Sequence, residues 1–173
     1  MTAEFVTGCV GVVGLGHMGH AFAVNLVGDG HQVFVYDRDP RRAAAVTGAH
    51  AAARLADLAA CEVGGDLAAR RRRPCGGSTR ARGFGGHSRA ARCPHFHEHG
   101  QPGISRRLAE EHRHHQQDYV AAPVLGNPDF AQERKLFVLA AGPHAALEKI
   151  RPLLERLGQR LFVIGELPGR RIW

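Results

Sequence analysis

Six residues near the amino terminus have the types and spacing needed to bind a pyrophosphate. The run Gly14-Leu15-Gly16-His17-Met18-Gly19 lies between an apolar run and an amphipathic stretch. Gly14 permits a tight turn, Gly16 lets the backbone approach a phosphate, and Gly19 lets the following helix pack closely on the preceding strand. The start of that helix offers free N–H groups and the positive end of its dipole. We therefore predict that Gly14, Leu15, Gly16, His17, Met18 and Gly19 form the phosphate-binding part of a dinucleotide site.

An acidic residue at a matching distance supports this prediction. Asp37 follows a second apolar run, Val33–Tyr36, and lies 23 positions after Gly14. A carboxylate there accepts hydrogen bonds from the adenosine ribose hydroxyls and repels a 2′-phosphate, which favours NAD. Arg38, with Arg41 and Arg42 behind it, has the opposite preference, because guanidinium groups bind a 2′-phosphate. We predict that Asp37 and Arg38 contact the cofactor, and NAD and NADP both remain open.

The elements that must position these residues alternate along the chain. A strand at Val10–Val13, a helix at 21–27 and a strand at Val33–Tyr36 make a βαβ unit, and Asp39 with Pro40 predicts the start of the next helix. Further elements are expected as a strand at 49–53, a helix at 54–61, a helix at 104–117, a strand at 119–122, a loop at 123–132, a strand at 135–141, a helix at 143–157 and a strand at 160–164. This alternation predicts an α/β fold, a Rossmann-type doubly wound and mostly parallel sheet in a single domain covering 1–169.

Length and composition limit the class of protein. The chain has 173 residues, enough for one domain, and a formal net charge of +7. Its four cysteines are scattered without close pairs, which predicts reduced thiols and a cytoplasmic location. No uninterrupted apolar stretch approaches the length that crosses a bilayer, so no membrane association is expected.

The central segment 63–102 has a different composition from the rest of the chain. It contains eight arginines and two acidic residues, and it has no run of four apolar residues between Gly64 and Pro102. Neither a helical period nor a strand period is visible there. We therefore expect segment 63–102 to be irregular or disordered, without the buried strands that a parallel sheet needs at this point.

Two other functions for this segment are weaker. The run Arg70–Arg73 could bind phosphate backbones, but it lacks interleaved aromatic residues and any recognisable nucleic-acid-binding module, so a solvated basic loop is expected. His95, His97 and His99 could bind zinc with Cys93 only from an extended strand, whereas the neighbouring proline and glycine favour a loop. We predict no metal site and no nucleic-acid partner.

The ordered parts of the sequence resemble the β-hydroxyacid dehydrogenases, the family of 3-hydroxyisobutyrate dehydrogenase and of the coenzyme domain of 6-phosphogluconate dehydrogenase. The resemblance rests on V-G-V-V-G-L-G-H-M-G at 10–19, V-Y-D-R at 35–38, A-P-V-L-G at 122–126 and K-L-F-V at 135–138, and it covers roughly 1–62 and 103–169. It implies hydride transfer between a nicotinamide and a small hydroxy acid or semialdehyde. It also implies a substrate-side position for Gly126, and a preference for NADP because of the arginine at position 38.

Two motifs of that family, an L-P-D turn and S-T-x-S-P, are expected within 63–102 and are missing. Back-translation offers an explanation: permitted codons for residues 95–102, read one base later, encode I-S-M-S-T-V-S-P, and the same shift at residues 65–73 permits V-T-L-P-H-D-D-A-V. We hypothesise that residues from about 63 to about 102 are a frame-shifted translation of an ordinary dehydrogenase segment.

The resemblance also fails near the end of the sequence. The family's catalytic lysine and its helical second domain follow the segment that matches Leu167-Pro168-Gly169, where this sequence has Arg170-Arg171-Ile172-Trp173. We therefore expect a truncated oxidoreductase domain without a catalytic residue, inactive as this chain. The alternatives are a non-catalytic nucleotide-binding remnant and, less favoured, an arginine-rich nucleic-acid-binding protein.

Overall fold

The first βαβ unit forms where the apolar pattern predicts it. The computed structural model describes residues 8–66, 95–97 and 102–167. Strand β1 (Val10–Val13) leads through the glycine turn into helix α1 (His17–Gly28), and strand β2 (Val33–Tyr36) follows. β1 and β2 pair in parallel. The valines Val10, Val12, Val33 and Val35 are fully buried, as expected for parallel strands covered on both faces.

The second helix also begins as predicted, and the other elements follow in an alternating order. Helix α2 (Pro40–Ala44) has Asp39 as its capping residue, whose carboxylate accepts a hydrogen bond from the Arg41 N–H at 3.0 Å. The remaining elements are β3 (His50–Ala51), a 3-10 helix (Leu55–Ala60), β4 (Val63–Asp66), β5 (His95–His97), α3 (Pro102–His114), β6 (Tyr119–Ala121), β7 (Val124–Leu125), α4 (Pro128–Gln132), β8 (Leu136–Ala141), α5 (His144–Leu157) and β9 (Gly158–Gly165).

All described strands belong to one sheet. Its order is β3-β2-β1-β4-β5-β6-β8-β7, with β9 paired to β8. The pairs from β3 through β6 are parallel, as is β8 with β9, whereas β6 and β7 pair with β8 in antiparallel fashion. β6 and β7 contact successive parts of one edge of β8, so β9 occupies the other edge. The predicted Rossmann-type, mostly parallel α/β fold is confirmed.

The expectation that segment 63–102 contributes no central strand is wrong at both ends of that segment. β4 lies between β1 and β5, and β5 lies between β4 and β6, so both occupy the middle of the sheet. Gly64 and Gly65 are buried there without an apolar side chain. Flanking strands satisfy the backbone N–H and C=O groups of such residues, and this pairing leaves no hydrophobic pattern in the sequence. Residues 67–94 and 98–101 lie outside the described residues.

The loop expected at 123–132 is also wrong, because it contains β7 and α4. Asn127 caps α4 by accepting a hydrogen bond from the Phe130 N–H at 2.9 Å, and Pro128 occupies the first turn. The helices expected at 104–117 and 143–157 and the strands expected at 135–141 and 160–164 are present, with ends shifted by a few residues.

One hydrophobic cluster fixes α1 against the sheet. It joins the valines of β1 and β2 to α1, α4 and α5 through buried side chains that include Phe22, Leu26, Ala131, Leu136, Ile150 and Leu154. Full burial of one side chain as large as Phe22 contributes roughly 2 to 3 kcal/mol. The amino terminus of α1, where the glycine turn lies, is therefore held by the core.

Candidate dinucleotide-binding site

The glycine turn joins the carboxyl end of β1 to the amino terminus of α1. Gly14 has φ of 85°, a left-handed conformation that favours glycine, and its N–H donates to the Tyr36 carbonyl at 2.9 Å. The first intrahelical bond runs from the His20 N–H to the Gly16 carbonyl. Within the described part of the chain, no side chain caps this helix. The N–H groups of its first turn are therefore available to an anion.

The space beside Gly16 is open. A Cβ atom added at Gly16 would meet no heavy atom within 4 Å among the described residues. The packing of the protein itself therefore does not require glycine at this position. The open space lies next to the unsatisfied N–H groups of α1, where a close backbone approach suits a pyrophosphate. The residues present fit the group that the sequence predicts.

Asp37 binds the glycine turn directly. Its Oδ2 accepts a hydrogen bond from the Leu15 N–H at 2.6 Å, and its Oδ1 accepts one from the Asp39 N–H at 2.9 Å. A carboxylate has about four acceptor positions, so two remain for hydroxyl donors. The structure brings Asp37 to the glycine turn and adds a role that the sequence did not reveal, while its contact with the ribose stays a prediction. The carboxylate positions the loop backbone.

The side chains of the turn face different surroundings. Leu15 is buried in the core cluster, and Met18 is partly buried against it. Their side chains therefore serve packing, and a cofactor would meet Met18 through its backbone, since the Leu15 N–H already donates to Asp37. His17, the first residue of α1, is exposed. Its imidazole is thus the one side chain of the predicted turn set that is open to a ligand.

Three exposed arginines follow Asp37. Arg38 lies in the short segment between β2 and α2, and Arg41 and Arg42 lie at the start of α2. The Asp39 carboxylate caps α2. Among the described residues it forms no ion pair with these arginines. This places a strongly basic surface beside the carboxylate that is predicted to bind the ribose.

The predicted substrate residue Gly126 lies in another part of the sheet. It follows β7 with φ of 145°, and a Cβ atom there would approach Leu136 Cδ2 to 2.5 Å. The strands β4 and β5 lie between β1 and β6, and β7 continues the line of β6 along the same edge of β8. The structure explains Gly126 by its local backbone conformation and packing and places it several strands away from the glycine turn, so its substrate-side role stays a prediction.

The other candidate residues of the central segment lie mainly outside the described residues. These are Arg70–Arg73, Cys93 and His99, while β5 is described in its backbone alone. Among the described residues, no group of three potential metal ligands comes together.

A polar clamp at the opposite end of α1 was not predicted. Asp29, whose side chain is 10% exposed, lies 2.7 Å from Arg134 Nη1 and 3.3 Å from Arg156 Nη1. Arg134 also donates to the Asn25 carbonyl at 3.0 Å, and the Asn25 side chain donates to the Ala131 carbonyl at 2.8 Å. These bonds tie the end of α1 to α4 and α5. Their partners are more than a hundred positions apart in sequence, so no local pattern could have revealed them.

Both lysines of the chain take part in ion pairs. Lys149 Nζ lies 2.9 Å from Glu62 Oε1, and Lys135 Nζ lies 2.7 Å from Glu133 Oε2. Glu62 precedes β4, so its pair with Lys149 lies at the amino edge of the sheet, roughly 13 Å along the strands from the glycine turn. Neither lysine stands in the described structure as a proton donor beside the turn.

Together, the sheet order, the uncapped glycine turn and the carboxylate at the end of β2 define a dinucleotide-binding α/β domain. Comparison with known proteins agrees. Residues 9–65 and 100–165 match the model of the NAD binding domain of 6-phosphogluconate dehydrogenase. An uncharacterised oxidoreductase of Bacillus subtilis, YfjR, is 30% identical over 168 residues, covering 91% of this chain and 56% of the relative.

Solved structures have the same fold. Psf3 in complex with NADP+ and 2-OPP superposes with a TM-score of 0.79 at 25% identity, covering 93% of this chain and 58% of that chain. The 3-hydroxyisobutyrate dehydrogenase of Mycobacterium tuberculosis with L-serine gives a TM-score of 0.76 at 20% identity, covering 94% and 56%. The chain thus spans a little over half the length of the relatives it matches.

The chain belongs to the family of the 6-phosphogluconate dehydrogenase NAD-binding domain and is a β-hydroxyacid dehydrogenase-like oxidoreductase domain. The cofactor of this domain is NAD or NADP. When bound, the nicotinamide of such a cofactor carries hydride.

Proposed function

We propose that this chain binds NADP in preference to NAD and is the coenzyme-binding part of an oxidoreductase that acts on a small hydroxy acid or semialdehyde. The observation that carries the cofactor preference is the bonding of Asp37. Both of its oxygens already accept backbone N–H groups of the turn and of Asp39, which disperses the negative charge that would repel a 2′-phosphate. Arg38 is exposed directly beside it.

Calorimetric titration of the chain with NADPH and with NADH tests this preference. We expect NADPH to bind about tenfold to a hundredfold more tightly, since a charge-assisted hydrogen bond is worth about 1.5 to 3 kcal/mol. The R38A variant should lose most of this difference while its affinity for NADH stays the same. R113A, which removes an exposed arginine of α3, is the matched control. Tighter binding of NADH by the unmodified chain would contradict the proposal.

We further propose that the chain alone binds the cofactor without turning over substrate. Support comes from the two lysines, since each is held in an ion pair and neither adjoins the turn as a proton donor. The chain also spans only 56% of the length of the Bacillus relative. Incubation with NADPH and a series of small semialdehydes should leave the nicotinamide absorbance constant while binding is saturated. Steady oxidation of NADPH that follows the enzyme concentration would overturn this part.

The frame-shift hypothesis remains a proposal, and one comparison supports it. The family match stops at residue 65 and resumes at residue 100, close to the boundaries proposed from the genetic code. On this hypothesis, β4 and β5 occupy the places in the sheet where an ordinary member of the family has its own central strands. The nucleotide sequence of codons 60–105 is the test. Two compensating insertions or deletions are expected, and a continuous frame that encodes the printed residues would remove the hypothesis.

We propose a cytoplasmic location because of the cysteines in the sequence. The four cysteines, Cys9, Cys61, Cys75 and Cys93, are scattered along the sequence without close pairs, a spacing typical of thiols in a reducing compartment. In the part of the chain that the structure describes, no helix is long and apolar enough to cross a membrane. Fractionation of cells that produce the chain should place it with soluble cytoplasmic markers, and recovery with exported proteins would contradict the proposal.

A further inference from the structure

His17 begins helix α1 on the face that points away from the core. The buried residues of this helix are Gly19, Ala21, Phe22, Ala23 and Leu26. His17, His20 and Val24 follow one another at spacings of three and four residues, so they share the opposite face. Val24 is 44% exposed, and His17 is exposed as well. All of these residues lie within the segment 9–65 that matches the family model.

The direction of the His17 side chain brings its imidazole to the predicted phosphate position. Cα–Cβ bonds in an α-helix tilt toward the helix N-terminus, so the side chain of the first residue extends beyond the start of the helix. At that start the helix N–H groups have no side-chain cap among the described residues, and the space beside Gly16 is open. A diphosphate bound there places two negative charges beside the imidazole.

In the described part of the chain, few other titratable residues lie near this end of α1. Strand β1 has none, and α4 contacts the opposite half of α1, where Asn25 donates to the Ala131 carbonyl. The titratable or charged residues nearby in the fold are His20 on α1, Tyr36, Asp37 and Arg38 at the end of β2, and Asp66 at the end of β4. Aspartate, arginine and tyrosine ordinarily keep one protonation state between about pH 6 and 8, whereas histidine does not. The two histidines are therefore the groups that an experiment must separate.

We propose that protonation of His17 strengthens the binding of the diphosphate, so that the affinity of this chain for its cofactor rises as the pH falls through the range in which an imidazole becomes charged. The negative charges of the diphosphate favour the charged imidazole, so the complex binds more protons than the free chain. By linkage, acidification must then tighten binding. This role of His17 rests on dinucleotide binding at the glycine turn, and it is independent of the choice between NAD and NADP because both carry the same diphosphate.

Calorimetric titration with NAD+ at a series of pH values tests this role. NAD+ is the probe because a 2′-phosphate, as in NADP, itself gains a proton near pH 6 and would obscure the effect. Between pH 8 and pH 6 the unmodified chain should bind NAD+ about threefold to tenfold more tightly, as expected for an exposed charge beside two others. Titrations in two buffers of different ionisation enthalpy should also show that a fraction of a proton is taken up on binding.

Three variants separate the charge of His17 from its other contributions. H17Q keeps a polar but neutral side chain, so at pH 6 it should bind about as weakly as at pH 8 and take up no proton. H17R is charged at both pH values and should bind tightly at both. H20Q is the matched control, since it makes the same change one turn further along the same face, and it should keep the pH dependence of the unmodified chain. Thermal melting checks that each variant is folded at the temperature of the titrations.

Several results would overturn this role of His17. These are an affinity that stays constant between pH 8 and pH 6, a pH dependence that survives in H17Q, a pH dependence that disappears in H20Q, or binding by H17R that is as weak as that of H17Q. In each of these cases NAD+ still binds, so the dinucleotide site itself would stand. If the unmodified chain binds no NAD+ at any pH, both the site and the role of His17 are refuted.

Discussion

Replacing Asp29 with alanine should destabilise the fold measurably although Asp29 lies far from the glycine turn. The Asp29 carboxylate is the common partner of Arg134 and Arg156, at 2.7 and 3.3 Å. The D29A variant removes both contacts and leaves two guanidinium groups without this carboxylate. Since the Asp29 side chain is 10% exposed, water replaces the lost interaction poorly.

The magnitude follows from the geometry of the two contacts. The short contact to the half-buried Arg134 is a charge-assisted hydrogen bond, worth about 1.5 to 3 kcal/mol. The longer contact to the exposed Arg156 adds about 0.5 kcal/mol at most. We therefore expect D29A to lose about 2 to 3 kcal/mol of unfolding free energy, which for a domain of this size lowers the melting temperature by roughly 5 to 10 °C.

Urea unfolding and differential scanning calorimetry measure this loss. The matched control is E133A, which removes the 2.7 Å contact to Lys135 where both side chains are more than half exposed, so its expected cost is about 0 to 0.5 kcal/mol. NADPH affinity well below the melting temperature should be unchanged in both variants, because the clamp is at the opposite end of α1 from the turn. If D29A and E133A melt alike, the clamp does not hold α1 as argued.

Three further predictions concern Gly16, Asp37 and His31. G16V should keep a melting temperature near that of the unmodified chain, because a Cβ there meets open space, yet lose NADPH affinity by about a hundredfold; a parallel loss of stability would contradict this. D37A should lose about 1 to 3 kcal/mol together with affinity for both cofactors, whereas D57A, which breaks the exposed pair with Arg54, should leave both affinities intact in calorimetric titrations. Burial lowers the pKa of His31, and the charge of Arg156 adds to this while Asp29 opposes it. The unfolded chain therefore binds more protons than the folded chain as pH falls below about 6.5, so the unfolding free energy decreases on acidification. The H31Q variant should flatten this dependence of the unfolding free energy on pH between about 5 and 7. An unchanged slope in H31Q would show that His31 does not cause it.

The parts of the fold that the sequence predicted carry their signal in neighbouring residues. The buried valines of β1 and β2, the glycines between them and the capping pair Asp39 and Pro40 all act within a few positions of one another, so their pattern is visible along the chain. The position of Asp37 beside the turn could be predicted for the same reason, because β1 and β2 pair in parallel and end at one edge.

The parts that the sequence did not predict depend on distant partners. β4 and β5 are strands because β1 and β6 flank them. Gly64 and Gly65 have no side chain whose hydrophobicity could have indicated that they are buried. The Asp29 clamp joins residues from three helices and their flanking turns. Helix α4 was missed for a different reason: Asn127 and Pro128 do form a start signal, but the helix is too short for a hydrophobic period to develop.

The bond from Leu15 to Asp37 bears on the kinetics of cofactor capture. Asp37 holds the turn, and through Asp39 the same hydrogen-bonded chain reaches the first turn of α2. The loop therefore loses its conformational entropy during folding, before any ligand arrives. Association should then need no slow ordering step and should proceed at a rate set by diffusion and by the charge of the arginines, with a dependence on ionic strength that a mobile phosphate loop would not share.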